Sequence, residues 1–321
     1  MSETKNAARS MQPSKLLYIF TRTPLHVGAG ASVGAIDQPV QRERHTGFPV
    51  IPASSLKGTF ADAWLTDDMP RNDKGDRIRV KASKDGGTII ETTPAAWLFG
   101  SDDANHAWAG ALQFSEAKLL AFPIRSARGS FAWITCPLML RRAARDGVVP
   151  VALLDKLVES ADDKAIFDAG ANSKLALGDK VVLEEYTFTA TPWLGLCKLA
   201  EHLAALLDPD DVWKEVASRL VVLSDGMMSF FAQNACEVAQ HVRISDETGT
   251  AEGGALFNQE NVPSETLFYS VMRFFAGRGK KCGEKKPEDA VAEFSKKLAG
   301  QVFQFGGDAS TGLGYCTVKL S

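Results

Sequence analysis

Two ionisable residues flank a glycine-rich segment near the start of the sequence. His26 precedes the glycines Gly28, Gly30 and Gly34, and Asp37 follows them. If this loop folds back on itself, the imidazole and the carboxylate come close together and could serve acid–base chemistry. A hydrogen-bonded structural histidine and a turn-forming aspartate explain the same two residues without any reaction.

Six further side chains could bind an anion. They form a cationic group and a group at a predicted helix start: Arg42, Arg44 and His45, then Ser54, Ser55 and Lys57. The second group combines free backbone amides and the positive end of a helix dipole with two hydroxyls and an ammonium, which together suit a phosphate. A salt-bridged surface and a serine N-cap are the alternatives that need no ligand.

A second glycine-rich loop lies between the last two predicted strands. Its glycines and hydroxyls suit contacts to a sugar-phosphate backbone, although a long hairpin turn explains them as well. The residues of this loop that could make such contacts are Gly306, Gly307, Thr311, Gly312 and Gly314. Arg125 stands among several arginines in the middle of the chain. Spaced basic patches on a mildly acidic protein indicate a defined path for a polyanion.

The first glycine loop fits neither common nucleotide-binding motif. A Walker loop needs GxxxxGK[ST], and that string does not occur in the sequence. The dinucleotide fingerprint GxGxxG opens a helix, whereas here the glycines are spaced GxGxxxG and the segment runs into Pro39. Both nucleotide classes are therefore excluded, which leaves a loop whose backbone permits the close approach of a ligand.

The composition is that of an ordinary globular chain. Its 321 residues carry a formal net charge of −3 and are 45% hydrophobic, so bulk charge does not indicate a nucleic-acid binder. The five cysteines are scattered without a CxxC pair, which argues against a disulfide framework or a zinc site. No secretory signal and no stretch of about 18 apolar residues is present. We expect a cytoplasmic protein with no membrane partner.

The predicted elements mix short strands with helices and contain no run of βαβ units, which indicates an α+β fold. Residues 1–14 are expected to form a loose tail and residues 67–90 a charged insertion. Strands are expected at 15–23, 111–120, 129–135, 181–190, 221–223, 236–244 and 265–275, with a glycine-rich turn before the last of these and two closing strands within 301–320. Helices are expected at 54–65, 137–145, 194–207, 210–220 and 287–299, with a further helix capped by Asp225.

Several segments together resemble the RAMP superfamily of CRISPR proteins, and more narrowly the backbone subunits of Cmr (type III-B) effectors. They are residues 23–58, 121–142, 181–188, 243–254, 263–271 and 306–315. The most specific is IDQPVQRERHTGFPVIP followed by SSLKG. The resemblance implies a single RAMP domain over residues 15–321, with a ferredoxin-like, RRM-related palm, insertions and a thumb-like hairpin. We place the thumb near residues 172–183.

The resemblance also implies a function. Copies of such a subunit stack along a guide (CRISPR) RNA together with other Cmr subunits, and as endoribonucleases they cut complementary target RNA at regular intervals. The family's essential acid matches Asp37, and the histidine before its glycine loop matches His26. The lysine of its helix start matches Lys57 and lies against guide RNA in the family. Where relatives carry acidic and aromatic residues, this chain departs from the pattern with the sequence NQEN at 258–261.

The expected chemistry is attack of the ribose 2′-hydroxyl on its own phosphate, for which the thumb aligns the target strand. Asp37 would bind a divalent cation, Mg²⁺ or Mn²⁺, or accept the hydroxyl proton. The metal role is favoured because carboxylates of ordinary acidity are weak bases at neutral pH. Two alternatives remain open: a guide-RNA scaffold without activity, and a RAMP nuclease that processes precursor RNA alone.

Overall fold

A computed structural model of the chain describes residues 13–30, 34–68, 94–100, 108–171, 173–279 and 282–321. Most of the predicted tail and of the charged insertion lies outside them. The strands are β1 Ser14–Thr21, β2 Val50–Ile51, β3 Leu112–Phe114, β4 Ala117–Ser126, β5 Ser130–Thr135, β6 Lys164–Ala165, β7 Lys180–Leu183, β8 Tyr186–Ala190, β9 Leu220–Val222, β10 Glu237–Ile244, β11 Ala251–Asn261, β12 Leu267–Phe274, β13 Val302–Gln304 and β14 Tyr315–Leu320. The helices are α1 Ala53–Asp68, α2 Pro94–Phe99, α3 Pro137–Arg145, α4 Leu196–Ala205, α5 Val216–Arg219, α6 Asp225–Asn234 and α7 Pro287–Leu298, with 3₁₀ turns at Val151–Leu154, Trp213–Glu215 and Ala309–Thr311.

A large sheet, mostly antiparallel, forms the centre of the fold. Its main path runs β13-β14-β1-β12-β4-β7-β8-β6. β1 is antiparallel to both β12 and β14, and β12 is antiparallel to β4. In chain order α1 lies between β1 and β4, and α7 lies between β12 and β14. The predicted mixture of helices with a sheet is confirmed. None of the helices in the described ranges is long and apolar enough to span a membrane.

β1 is buried on both faces, which explains its unbroken apolar sequence. Alternate side chains of a strand point to opposite faces, so Leu17 and Ile19 join one core cluster while Tyr18 and Phe20 join the other. The first cluster is filled by aromatic rings of α1 and α7. In the second, the ring centroids of Phe20 and Trp213 are 5.4 Å apart in an edge-to-face contact. The end of β1 is therefore packed on both faces, and the first glycine loop follows shortly after it in the chain.

Two strand predictions were wrong because a hairpin was not recognised in either segment. The first hairpin turns within a polar sequence, and the second contains a glycine-rich strand. Residues 181–190 form two strands, β7 and β8, which turn at Glu184 with a positive φ of 50°. The expected turn between 236–244 and 265–275 contains β11, which pairs with β10 in a separate two-stranded ribbon. The segment AEGGALFNQEN does not alternate simply between apolar and polar residues, so strand periodicity could not identify it.

Three helix predictions also need correction. α1 begins at Ala53, so Ser54 and Ser55 lie inside its first turn and neither is the N-cap. Ser224, not Asp225, caps α6, and its hydroxyl accepts the Met227 N–H at 3.0 Å. The expected helix over 210–220 consists of a 3₁₀ turn and the short α5, and it gives way to β9 at its end.

The segment in which a thumb is predicted does not project from the main sheet. Leu175, Val181 and Leu183 are buried, and β7 pairs with both β4 and β8. Asn172 lies outside the described residues. The hairpin that leaves the main sheet is β10–β11, on which Val242 and Leu256 are directly paired and exposed.

Candidate active site

The first glycine loop folds back into an irregular hairpin. The Ala29 N–H donates to the Pro39 carbonyl at 2.9 Å, and the Gln41 N–H donates to the Val27 carbonyl at 2.7 Å. Gly34 takes a positive φ of 64° near the tip, a conformation that glycine adopts at little cost. The loop therefore folds back on itself in the described residues, which do not include 31–33.

The returning limb of this hairpin lies beside the last residues of β11. Gln38 forms a parallel bridge with Gln259. The Gln38 N–H donates to the Asn258 carbonyl at 3.1 Å, and the Glu260 N–H donates to the Gln38 carbonyl at 2.9 Å. Asp37 is thereby held on an ordered backbone between the loop tip and the sheet.

Asp37 is exposed and bonded to one neighbour only among the described residues. Its Oδ2 accepts the Asn258 N–H at 2.9 Å, and its own N–H donates to Asn258 Oδ1 at 2.7 Å. Oδ1 of Asp37 accepts no hydrogen bond from the described part of the chain. The carboxylate therefore has a fixed orientation and a free oxygen that faces solvent.

His26 is buried, and a backbone contact sets its tautomer. Its Nδ1 lies 2.7 Å from the Glu260 carbonyl oxygen. A carbonyl can only accept, so Nδ1 carries the proton and Nε2 of the neutral ring carries the lone pair. A methyl group at Gly28 would lie 3.0 Å from Nε2. The glycine therefore keeps the lone-pair edge of the imidazole open.

The second glycine loop packs directly on the first. The Gly307 N–H donates to the His26 carbonyl at 2.9 Å, and the Gly314 N–H donates to the Pro24 carbonyl at 2.8 Å. Gly306 has a φ of 77° and lies so close that a methyl group there would be 2.0 Å from the His26 carbonyl oxygen. Asp308 Oδ2 accepts from Gln259 Nε2 at 2.9 Å. The two predicted loops thus form one surface, framed by β11.

The exposed part of the second loop is the stretch between Gly306 and Thr311. Gly306, Gly307 and Thr311 are exposed, and the Thr311 hydroxyl donates to the Asp308 carbonyl at 2.9 Å. Gly312 ends the 3₁₀ turn with a φ of 90°. Gly314 is buried. Its role is to let two backbone segments touch, because a methyl group there would meet the Phe305 carbonyl at 1.9 Å.

Arg42 serves the interior of the site. Its Nη2 lies 2.5 Å from Glu260 Oε1, and Nη1 donates to the carbonyls of Gly47 and Ala232 at 2.7 and 2.6 Å. Glu260 Oε2 also accepts the Val40 N–H at 3.0 Å. The Arg42 guanidinium was predicted as an RNA contact, but these bonds direct it inward, where it holds the loop against β11 and α6.

Arg44 and His45 follow Arg42 in the chain, and both are exposed. His45 Nε2 lies 2.9 Å from Arg142 Nη2, and Arg142 Nη1 lies 2.8 Å from Glu43 Oε2. Burial raises the pKa of Glu43, but hydrogen bonds from Thr46 and Arg142 and the Arg142 charge outweigh it, so the net pKa is lowered. Glu43 therefore compensates Arg142, and the outward positive charge of this edge comes from Arg44.

The remaining predicted residues lie on neighbouring elements. Ser54 and Lys57 are exposed on the first turns of α1, and Ser55 is half-buried there. Arg125, at the end of β4, forms ion pairs with Glu184 at 2.9 Å and Glu185 at 3.0 Å. Its contacts are with the β7–β8 turn, and none joins it to the glycine loops among the described residues.

Sequence reasoning missed the strand that organises the site. Asn258 bonds to Asp37, Gln259 to Asp308, and Glu260 to Arg42 and His26. Gln259 and Glu260 are each almost fully buried, and buried polar side chains require partners. The run of four polar residues ahead of the buried Val262 was the signal available in the sequence.

This fold and site define a class of protein. A family model of the RAMP superfamily matches residues 19–317, and the chain belongs to that superfamily. It is 30% identical to the CRISPR system Cmr endoribonuclease Cmr4 of Pyrococcus furiosus. The alignment extends over 308 residues and covers 95% of each chain. The resemblance to the backbone subunits of type III-B Cmr effectors is therefore confirmed.

Two solved structures share the fold. Oligomeric Cmr4 from Pyrococcus furiosus aligns with a TM-score of 0.66 at 24% identity and covers 96% of this chain and 97% of its own. A subunit of the type III-B Cmr-beta complex bound to cognate target RNA aligns with a TM-score of 0.66 at 19% identity, over 96% and 97% of the two chains. At these identities the likeness establishes the architecture.

Proposed function

We propose that this chain is the repeated backbone subunit of a type III-B CRISPR ribonucleoprotein and that it cuts guide-paired target RNA at Asp37. The observation that carries the proposal is the clamped, outward-facing Asp37 carboxylate beside two glycine loops whose backbones are exposed. A scaffold without activity accounts less well for this carboxylate. A stand-alone nuclease accounts less well for the similarity to a Cmr endoribonuclease.

RNA would be bound through its backbone by a small set of exposed or half-buried groups. The free amides of a loop, hydroxyls and cations are the usual partners of phosphate and sugar. In this chain they are Arg44, His45, Ser54, Ser55, Lys57, Gly306, Gly307 and Thr311. The net charge of −3 gives each copy only modest attraction for RNA. Stacked copies on one guide RNA would sum many weak contacts into firm binding.

The site can hold a divalent cation that is bound by one protein carboxylate and otherwise by waters. The described residues contain no group of three or more His, Cys, Asp or Glu that could hold a metal. Mg²⁺ often takes only one or two protein carboxylates and keeps several waters, so Asp37 Oδ1 suffices as the protein ligand. When bound, Mg²⁺ or Mn²⁺ would stabilise negative charge on the scissile phosphate.

The chain's own residues have separate tasks in the proposed reaction. Asp37 provides a fixed carboxylate oxygen at the scissile position. His26 presents the Nε2 lone pair, which is oriented to accept a hydrogen bond from a ribose hydroxyl. Attack of the 2′-oxygen on its adjacent phosphorus breaks the bond to the 5′-oxygen. The 2′-hydroxyl gives its proton to His26 Nε2 and the leaving 5′-oxygen takes one from solvent, so the products are a cyclic phosphate and a 5′-hydroxyl.

The strand order supports a ferredoxin-like palm. β14-β1-β12-β4, with α1 and α7 between their strands in the chain, has the βαββαβ order of that fold. We propose that the β10–β11 ribbon is the thumb, since it leaves the main sheet at the level of Asp37 and exposes apolar side chains. In that position it can separate base pairs of a guide–target duplex next to the carboxylate.

Mapping the cleavage products tests the function. A guide-loaded assembly should cut target RNA at regular intervals, and each upstream fragment should end in a cyclic phosphate. A target with 2′-deoxyribose at one cleavage position should bind normally and stay intact at that position alone. Absence of cutting by the loaded assembly would favour the scaffold, and cutting of precursor RNA by the isolated monomer would favour the stand-alone nuclease.

A further inference from the structure

Asn258 contacts the Asp37 loop through four hydrogen bonds. Two involve its backbone: its N–H donates to Asp37 Oδ2 at 2.9 Å and its carbonyl accepts the Gln38 N–H at 3.1 Å. Two involve its side chain: Oδ1 accepts the Asp37 N–H at 2.7 Å and Nδ2 donates to the Ala35 carbonyl at 3.0 Å. The side-chain amide thus provides hydrogen-bond partners for two backbone groups of the loop, the Asp37 N–H and the Ala35 carbonyl.

Among the described residues, the other strand contact of this part of the loop is the hydrogen bond from the Glu260 N–H to the Gln38 carbonyl. Ala35, Asp37 and Gln38 are exposed and Ile36 is only half-buried, so apolar packing contributes little to its position. Gly34, with a φ of 64°, lies directly before it and provides a pivot, since glycine moves between backbone conformations at low cost. The orientation of the Asp37 carboxylate therefore depends on hydrogen bonds, and Asn258 makes most of them.

We propose that Asn258 is the positioning residue that fixes the Asp37 carboxylate for cleavage. This inference rests on the proposed function. Asn258 acts through Asp37 and touches neither the RNA nor a cation. An amide suits the task because it offers an acceptor to one backbone group and a donor to the other. A carboxylate there would face the Ala35 carbonyl with a like partial charge and would stand beside the Asp37 carboxylate.

Cleavage and hydrogen exchange test this role together, on guide-loaded assemblies of the full chain. Asn258→Ala removes the two side-chain bonds and keeps the two backbone bonds. Small displacements of catalytic groups cost about 100-fold in rate, so we expect the single-turnover rate to fall about 10- to 100-fold while the Kd for target RNA stays within about twofold. The Asp37 amide should exchange faster, and the Gln38 amide should keep its protection because its partner is a backbone carbonyl.

Matched variants separate the possible outcomes. Asn234→Ala removes a single Asn side-chain bond, to the Phe230 carbonyl, outside the site and should leave rate and exchange unchanged. Asn258→Asp keeps the acceptor for the Asp37 N–H but not the donor for Ala35, and it replaces Asn258→Ala if the alanine protein fails to assemble. An assembled Asn258 variant that cuts at the wild-type rate overturns the inference. If Asp37→Asn also cuts normally, the proposed function fails instead.

Discussion

Nδ1 of His26 lies 2.7 Å from the carbonyl oxygen of Glu260, and this contact joins the first glycine loop to β11. It fixes the ring so that Nε2 is the free nitrogen. Asp37 is attached two residues earlier on the same strand, through Asn258. Two residues of a strand span about 7 Å, so the backbone groups that anchor the histidine and the aspartate are about that far apart on β11.

Replacement of His26 by asparagine should separate its structural and chemical roles. The Asn side-chain amide can donate to the Glu260 carbonyl as Nδ1 does, but it has no counterpart of Nε2. We expect stability and RNA binding close to wild type and a fall in cleavage rate of about 100-fold, since a positioned acid–base group contributes at least that much. Single-turnover kinetics will measure it, and cutting at the wild-type rate would show that Nε2 is dispensable.

Gly28→Ala should block the imidazole edge without unfolding the protein. The added methyl group would lie 3.0 Å from His26 Nε2, and Gly28 has no positive φ that a side chain would strain. We expect an unchanged Tm and at least a tenfold loss of cleavage rate, comparable to the lower range for loss of acid–base assistance. Gly283→Ala is the control, because no described residue lies within 4 Å of its added methyl group. Equal rates in both variants would contradict the account of Gly28.

Gly306→Ala should instead reduce stability. The residue has a φ of 77°, and a methyl group there would lie 2.0 Å from the His26 carbonyl oxygen. Strain of this kind costs about 1–3 kcal/mol, and the clash should displace the second glycine loop from the first. Urea unfolding will give the free-energy change against the Gly283→Ala control, and an unchanged unfolding midpoint would contradict the packing of the two loops.

Arg42→Met should destabilise the protein strongly by leaving the Glu260 carboxylate buried without its cation. Loss of one partner of a buried ion pair costs about 3–5 kcal/mol. The double variant Arg42→Met, Glu260→Gln should recover much of that loss, because the amide oxygen can still accept the Val40 N–H. Arg125→Met, at an exposed ion pair, should change unfolding little. If Arg42→Met weakens RNA binding while the unfolding free energy stays constant, Arg42 contacts RNA after all.

Stability should fall between pH 4.5 and about 7 through Glu265. Burial, with a smaller contribution from the Asp210 charge, raises the pKa of this carboxyl from 4.5 to about 7. In that interval the unfolded chain has lost the proton that the folded chain still binds, so rising pH favours unfolding. Glu265→Gln should remove this dependence and be the more stable protein at pH 8. Parallel pH profiles of the unfolding free energy in the two proteins would contradict the assignment.

The sequence located both glycine loops and their residues but not what joins them. Asp37 and His26 lie 11 positions apart in the sequence, so a fold-back of one loop is enough to bring their backbones onto the same strand, β11. The inward bonding of Arg42 was not predicted, because its partner Glu260 is 218 positions away along the chain. A charge with no local partner is normally expected on the surface, and only the tertiary fold reveals the buried acid.

The strand β11 escaped prediction for a related reason. Its first half is rich in glycine and its second half is polar, both unfavourable for a strand on propensity alone. Its stability comes from pairing with β10 and from side-chain contacts to the Asp37 loop, the Asp308 loop and Arg42. The order of helices and strands in the central sheet was more accessible, because β1, α1, α7 and β14 have strong apolar patterns.

The most direct measurement is target-RNA cleavage by the guide-loaded assembly of wild type and of Asp37→Asn, with Mg²⁺ or Mn²⁺ and with chelator. Asp211→Asn, at an exposed aspartate outside the site, is the matched control. We expect regularly spaced, metal-dependent cuts in wild type and control, and none in Asp37→Asn, which should still assemble and bind target. Equal cutting by Asp37→Asn would contradict the account and place the nuclease in another subunit.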